Sequence, residues 1–127
     1  MRGWLAPAVL VAALVACSGV DEAAAVGLVT RFHAALADGD WAAIDGLLSR
    51  STRALRPGLG TARAFRNLGA RHGRYLGGGL ARISADDGRI TLVWAARYER
   101  GAVNELFVLV DEDGGLKIDS YSDKAAP

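Results

Sequence analysis

The side chains of this chain that could do chemistry are few. They include two histidines, His33 and His72, one cysteine, Cys17, and an acidic residue, Glu105, on an otherwise apolar strand face. Proton transfer needs a group tuned near the working pH and within hydrogen-bond reach of a substrate. Glu105 lies in "VNELFVLVD" and shares its strand face with Phe107 and Leu109. A cross-strand pairing of Glu105 with Arg97 or Tyr98 is the more ordinary role for such a residue than that of a base. His33 follows Phe32 on a helical segment and reads as a helix-flank histidine with an exposed edge. His72 stands among Arg and Gly residues and reads as exposed. Tyr75, Tyr98, Tyr121, Trp41 and Trp94 read as core or pocket-wall aromatics. No Asp–His pair has the support of a motif, so no catalytic residue is assigned. Two well-separated histidines without a further thiol make no recognisable metal-ligand cluster. Gly77–Gly78–Gly79 lacks the Lys-Ser/Thr of a phosphate-binding loop and reads as a flexible stretch. No cofactor is expected.

Cys17 belongs to a different problem. The chain opens "MRGWLAPAVLVAALVACSG", with Arg2 before a run of apolar residues and Pro from Trp4 to Ala16, and small residues after it. That layout is a secretory signal rather than a membrane span, which needs roughly 20 apolar residues. Leu14-Val15-Ala16-Cys17 resembles the lipobox of bacterial lipoproteins. The resemblance implies cleavage before Cys17 and acylation of that cysteine. Anchoring by two or more chains is stable, since each buried methylene contributes roughly 0.8 kcal/mol. The rival is ordinary secretion with cleavage after Ser18, which would discard the cysteine. The expected organisation is a signal at 1–16, a lipidated tether at 17–20 and one domain at 21–127.

Charge nearly cancels, with 15 basic and 14 acidic residues. Its distribution is uneven. No acidic residue occurs between Asp45 and Asp86, where Arg50, Arg53, Arg56, Arg63, Arg66, Arg71, Arg74 and Arg82 all fall. Asp111, Glu112, Asp113, Asp119 and Asp123 make the C-terminal part acidic. Arg63, Arg66, Arg71 and Arg74 are candidates for contact with an anionic envelope surface. The preferred alternative is a solvated face partly paired with the acidic strands. Near-zero net charge argues against nucleic acid as a partner.

These residues need elements to position them. Val26, Val29, Phe32 and Leu36 recur at helical spacing and predict a helix running to about Ala37. "DGD" ends it: Gly39 permits a left-handed turn and Asp40 can cap a second helix with Trp41, Ile44, Leu47 and Leu48 inward. Thr61 is expected to cap a short third helix carrying Phe65 and Leu68. From Leu80 the period becomes two. "LARIS", "RITLVWAARYE", "VNELFVLVD" and "LKIDSYS" predict four strands joined by tight turns, an antiparallel meander. The third strand is apolar on both faces over its middle, which predicts a central strand covered on both sides.

The order of these elements, with Ala35-Leu36, Gly39-Asp40, Asp113-Gly114, Lys117-Ile118 and Tyr121, resembles the NTF2-like (SnoaL-like) superfamily. The resemblance implies an α+β cone: a helical hairpin and short third helix on a curved antiparallel sheet of four or slightly more strands. It implies a pocket at the open end, with Glu105, His33, Trp94, Tyr98 and Tyr121 as candidate lining. Such folds carry isomerases, dehydratases and hydrolases as well as inactive domains, so fold does not give function. The leading expectation is a lipid-anchored envelope protein whose domain binds or scaffolds without catalysis. Its partners are the membrane through acylated Cys17 and an envelope protein or small apolar ligand; a homodimer is allowed. The alternatives are a small enzyme using Glu105 or His33, and an electrostatic adaptor using the Arg50–Arg82 segment.

Overall fold

The computed structural model describes residues 21–127. The expected signal, the tether and Cys17 lie outside the described residues. Helix α1 spans Glu22–Asp38; the Asp21 carboxylate accepts from Ala24 N at 3.0 Å and caps it. Gly39 ends the helix at φ 63°, a left-handed conformation that glycine adopts without a Cβ clash. Asp40 then accepts from Ala43 N at 3.0 Å and starts α2, Trp41–Leu47. "DGD" therefore stops one helix and caps the next, as its residue types require.

The expected short third helix is present after α2, preceded by two single-turn pieces. The three are α3 (Arg50–Arg53), α4 (Gly60–Arg63) and α5 (Arg66–His72). Thr61 caps none of them; it lies within α4 and its hydroxyl donates to Thr52 O at 3.1 Å. A hydroxyl can serve a nearby carbonyl as well as a helix amide, and here it serves Thr52 O. Phe65 and Leu68 do turn toward the core.

Four strands follow: β1 (Tyr75–Asp86), β2 (Arg89–Tyr98), β3 (Gly101–Glu112) and β4 (Gly115–Ala125). They form one antiparallel sheet in the order β1-β2-β3-β4. The turns at Asp87-Gly88 and Asp113-Gly114 place all four residues at positive φ, the tight geometry that matches strand twist. The glycine triplet is strand, not a flexible stretch. A Cβ at Gly78 would meet Trp94 Nε1 at 2.5 Å and Ala95 O at 2.6 Å, so glycine lets β1 close on β2.

The hairpin of helices packs on the concave side of the curved, unclosed sheet, the cone-like α+β arrangement of the NTF2-like class. The buried face of α1 is Ala25, Leu28, Val29, Phe32, His33 and Ala35, while Val26 and Leu36 of the predicted stripe are only half-buried. The buried face is thus centred on Phe32 and takes in His33. Phe32 is the hub of the core, with ring centroids of Phe65, Phe107 and Tyr121 at 5.0, 5.4 and 5.7 Å. The first two contacts are edge-to-face, worth about 0.5–1.5 kcal/mol each beyond area burial. Inward on β2 and β3 are Leu92, Trp94, Ala96, Tyr98, Val103, Glu105, Phe107 and Leu109. The outer face of β3 is not covered: Leu106 is 38% exposed there.

The Lys117-Ile118-x-x-Tyr121 run fastens the helices to the sheet. Lys117 Nζ donates to Gly46 O at 2.7 Å, and Ser49 N donates to Ile118 O at 2.9 Å. Tyr121 projects toward Phe32.

Candidate functional site

At the centre of the concave face lies the carboxylate of Glu105, with no solvent exposure. An ionised carboxylate taken from water needs compensating partners. Glu105 has three. His33 Nε2 lies 2.7 Å from Oε1, Tyr98 OH donates to Oε2 at 2.8 Å, and Tyr121 OH donates to the same oxygen at 2.5 Å. No Arg or Lys of the described residues forms an ion pair with it. The compensation is therefore built from phenols and an imidazole.

Each partner is positioned by an element whose local logic is plain. Inward strand residues alternate, which brings Glu105 on β3 and Tyr98 on β2 to one face. Tyr121 joins from β4, where the ladder pairs it with Phe107. His33 follows Phe32 on α1 and points at the sheet. Its ring stacks on Tyr75 at 3.9 Å and 7°, and Trp94 Nε1 donates to Tyr75 OH at 3.1 Å. His33 is 3% exposed, so it is a buried partner of the carboxylate and not a helix-flank residue with a wet edge. Against an ionised carboxylate, which only accepts, Nε2 is the donor and the second ring nitrogen is Nδ1. That Nδ1 is buried and has no hydrogen-bond partner among the described residues.

The field of this cluster acts on the phenols. Burial first, then the charge of Glu105 and the hydrogen bonds to it, push Tyr121 and Tyr98 far above the ordinary tyrosine value. Tyr75 is also raised, by burial against the opposing hydrogen bond from Trp94. Tyr98 and Tyr121 are donors to Glu105, while the Tyr75 oxygen accepts from Trp94.

A groove of about 380 Å³ adjoins the cluster. Leu48, Leu55, Phe65, Leu68 and Ile118 give it apolar walls, and Tyr121 belongs to both groove and cluster. A second depression of about 580 Å³, with Tyr75 and Tyr98 in its wall, lies between the end of α1 and the β2–β3 turn.

At the groove's rim sits a second acid–histidine pair that sequence reasoning missed. His72 Nε2 lies 2.6 Å from Asp123 Oδ2, and Arg71 donates to Oδ1 at 2.7 Å. His72 is half-buried rather than exposed. Burial raises the Asp123 carboxyl, but the hydrogen bonds from His72 and Arg71 outweigh it and hold the group below the ordinary range. Asp119 is held low too, chiefly by hydrogen bonds from Ser49 and Arg89. His33–Glu105 spans 72 positions and His72–Asp123 spans 51, so no local spacing signals either pair.

Among the expected site residues, His33, Trp94, Tyr98, Glu105 and Tyr121 do meet in one cluster. Glu105 pairs with Tyr98 across the β2–β3 hairpin as expected, while Arg97 points outward and is exposed. Of the four arginines considered for anionic surfaces, Arg71 is engaged by Asp123, and Arg63, Arg66 and Arg74 are exposed. Arg50 pairs with Glu112 and Asp113, so the basic segment does face the acidic strands in part. Among the described residues no cluster of three or more His, Cys, Asp or Glu could hold a metal ion.

No family model and no curated protein matches this chain. Among solved structures, the solution structure of a SEC-C motif containing protein from Rhodopseudomonas palustris is similar. It shares 20% identity at a TM-score of 0.54, covering 74% of this chain and 72% of that one. This likeness shows the fold alone.

Proposed function

We propose that the domain is a small acid–base enzyme of the NTF2-like type, of the isomerase, dehydratase or hydrolase kind, with Glu105 as its proton acceptor. The observation that carries this reading is the fully buried Glu105 carboxylate, held by His33, Tyr98 and Tyr121 without an arginine or lysine. A structural ion pair would be compensated by a cation. Here every partner can exchange a proton.

The substrate sits in the groove against Tyr121. The proton leaving its carbon passes to the Tyr121 oxygen as Tyr121 hands its own proton to Glu105 Oε2. Return of that proton to another position of the substrate closes an isomerisation with no net change in the protein. His33 holds the carboxylate from the other oxygen, and Tyr75 fixes the imidazole plane by stacking. Tyr98 keeps Oε2 oriented while Tyr121 moves.

The test is proton exchange in heavy water, followed by NMR over a panel of small enolisable ketones. General-base catalysis contributes about 10²–10⁴-fold, so Glu105→Gln should lower exchange by at least about 100-fold. The amide keeps the shape and can still accept from the tyrosines, so folding should persist by circular dichroism. Equal exchange by the two proteins overturns the proposal.

We further propose that the enzyme works at a membrane surface. The support is the lipobox-like Leu14-Val15-Ala16-Cys17, whose cysteine stands four residues before Asp21 and would carry the acyl chains. Mass spectrometry of the mature N-terminus checks it: diacylglycerol on Cys17 is expected, and an unmodified chain starting at Gly19 overturns it.

A further inference from the structure

The groove beside Tyr121 has a chemical bias that the polar residues in its wall conceal. Of those residues, nearly all are already satisfied within the protein. Thr52 Oγ1 donates to Asp119 O at 2.7 Å, and Thr61 Oγ1 donates to Thr52 O at 3.1 Å. Asp119 accepts from Arg89 at 2.9 Å and from Ser49 and Ser51 at 2.8 and 3.0 Å. Asp123 is taken up by Arg71 and His72. Tyr121 OH is turned to Glu105. What remains for an occupant is apolar surface from Leu48, Leu55, Phe65, Leu68 and Ile118, the Ser120 hydroxyl, the Arg71 N–H groups not spent on Asp123, and one arginine with no carboxylate partner among the described residues. That arginine is Arg56, which is exposed and forms no ion pair among the described residues. Beside it Leu55 is 75% exposed, an apolar side chain standing in water at the mouth.

The lining carboxylates are matched by cations, so the groove's unmatched charge is the single positive charge of Arg56. A cationic occupant would meet a like charge, and a neutral one would leave the guanidinium unused. A carboxylate suits its planar fork of donors. Size limits the body. At roughly 30 Å³ per heavy atom, the scale set by liquid water, about 380 Å³ holds about a dozen such atoms.

We infer that the groove binds a medium-chain anionic amphiphile, with its carboxylate on Arg56 and its chain against Leu55, Phe65, Leu68 and Tyr121. This names the substrate class of the proposed enzyme and rests on that reading only in placing the ligand beside Tyr121. Binding is measured without turnover, so its failure and the failure of the Glu105 exchange experiment are separate results.

Decanoate, with roughly a dozen heavy atoms, is the probe. The full chain carrying Cys17→Ser is titrated calorimetrically, below the micelle-forming range, so that no attached acyl chain competes. One saturable site is expected. Decanol, decyltrimethylammonium and decanoate on Arg56→Gln should each bind about tenfold more weakly or worse. Leu55→Asp should weaken decanoate binding as well. Both altered residues are exposed, so the variants keep their fold, and Arg82→Gln, at an exposed site on β1, should bind as the parent does. Decanol binding as tightly as decanoate, undiminished binding by Arg56→Gln, or no saturable binding overturns the inference.

Discussion

Glu105 and Asp123 are register partners across the β3–β4 ladder, and each holds a histidine. They differ in what surrounds them. Glu105 sits on a central strand beneath α1, sealed from water, with two phenols and His33 as its company. Asp123 sits on the edge strand, where Arg71 and His72 reach it from α5 at the rim of the groove. An edge carboxylate can recruit a long cationic side chain whose head stays near water. A central one meets only what the opposite wall of the core supplies. The same acid–histidine pairing thus serves as a surface clasp in one place and as a buried proton-holding cluster one strand away.

The sharpest test of that contrast is stability. Glu105→Ala leaves His33, Tyr98 and Tyr121 facing an empty, unsatisfied space and should cost about 3–5 kcal/mol in chemical denaturation. Asp123→Ala at the wetter site should cost about 1 kcal/mol. Equal losses would break the comparison.

Alkaline titration follows in size. The folded phenols of Tyr98 and Tyr121 titrate above their unfolded value near 10, so their stabilisation is complete below that pH. Above it the unfolded chain releases protons that the native state keeps, and stability falls as pH rises. Each fully held phenol contributes up to about 1.4 kcal/mol per pH unit, less for Tyr121 where the groove admits solvent screening. Denaturation midpoints from pH 10 to 11 should flatten in the Tyr98→Phe, Tyr121→Phe double variant; an unchanged slope would count against the cluster.

Acid has a smaller, opposite effect at the rim. Asp123 and Asp119 have folded values below their unfolded ones, so their stabilisation is present above about pH 4 and is lost as pH falls through the lower folded values. Asp123→Asn should remove its share, no more than about 1 kcal/mol, from the decline seen by thermal melting between pH 4 and 2. The smallest effect belongs to the exposed Arg50–Asp113 pair, where Arg50→Ala should change stability by under about 0.5 kcal/mol. A larger change would mean that surface pairing organises this fold more than burial does.

Much of the architecture was legible. "DGD" carries its own helix stop and cap, and the two Asp-Gly turns set strand pairing by their positive φ. Alternation along β2 puts Ile90, Leu92, Trp94, Ala96 and Tyr98 on one face, and the last four are buried. Errors came where a residue's role depends on a distant neighbour. Gly77–Gly79 looked loose because nothing local announces that Trp94 packs against Gly78. The outer face of β3 looked covered because hydrophobicity cannot say whether a partner is present. Thr61 looked like a helix cap because nothing local announces that its hydroxyl turns back to Thr52 O.

What the sequence by itself determined is therefore local: helix ends, turn types, strand alternation and the presence of one acidic residue on an apolar face. Those follow from backbone sterics and short-range hydrogen bonding, which depend on near neighbours alone. Tertiary structure decided the rest. It chose His33 over Arg97 as partner of Glu105, gave Asp123 rather than Glu105 the arginine, and turned Tyr121 into the wall between a buried carboxylate and an open groove. Which groups meet in a core depends on how α1 and the sheet fit together, and only the folded chain carries that information.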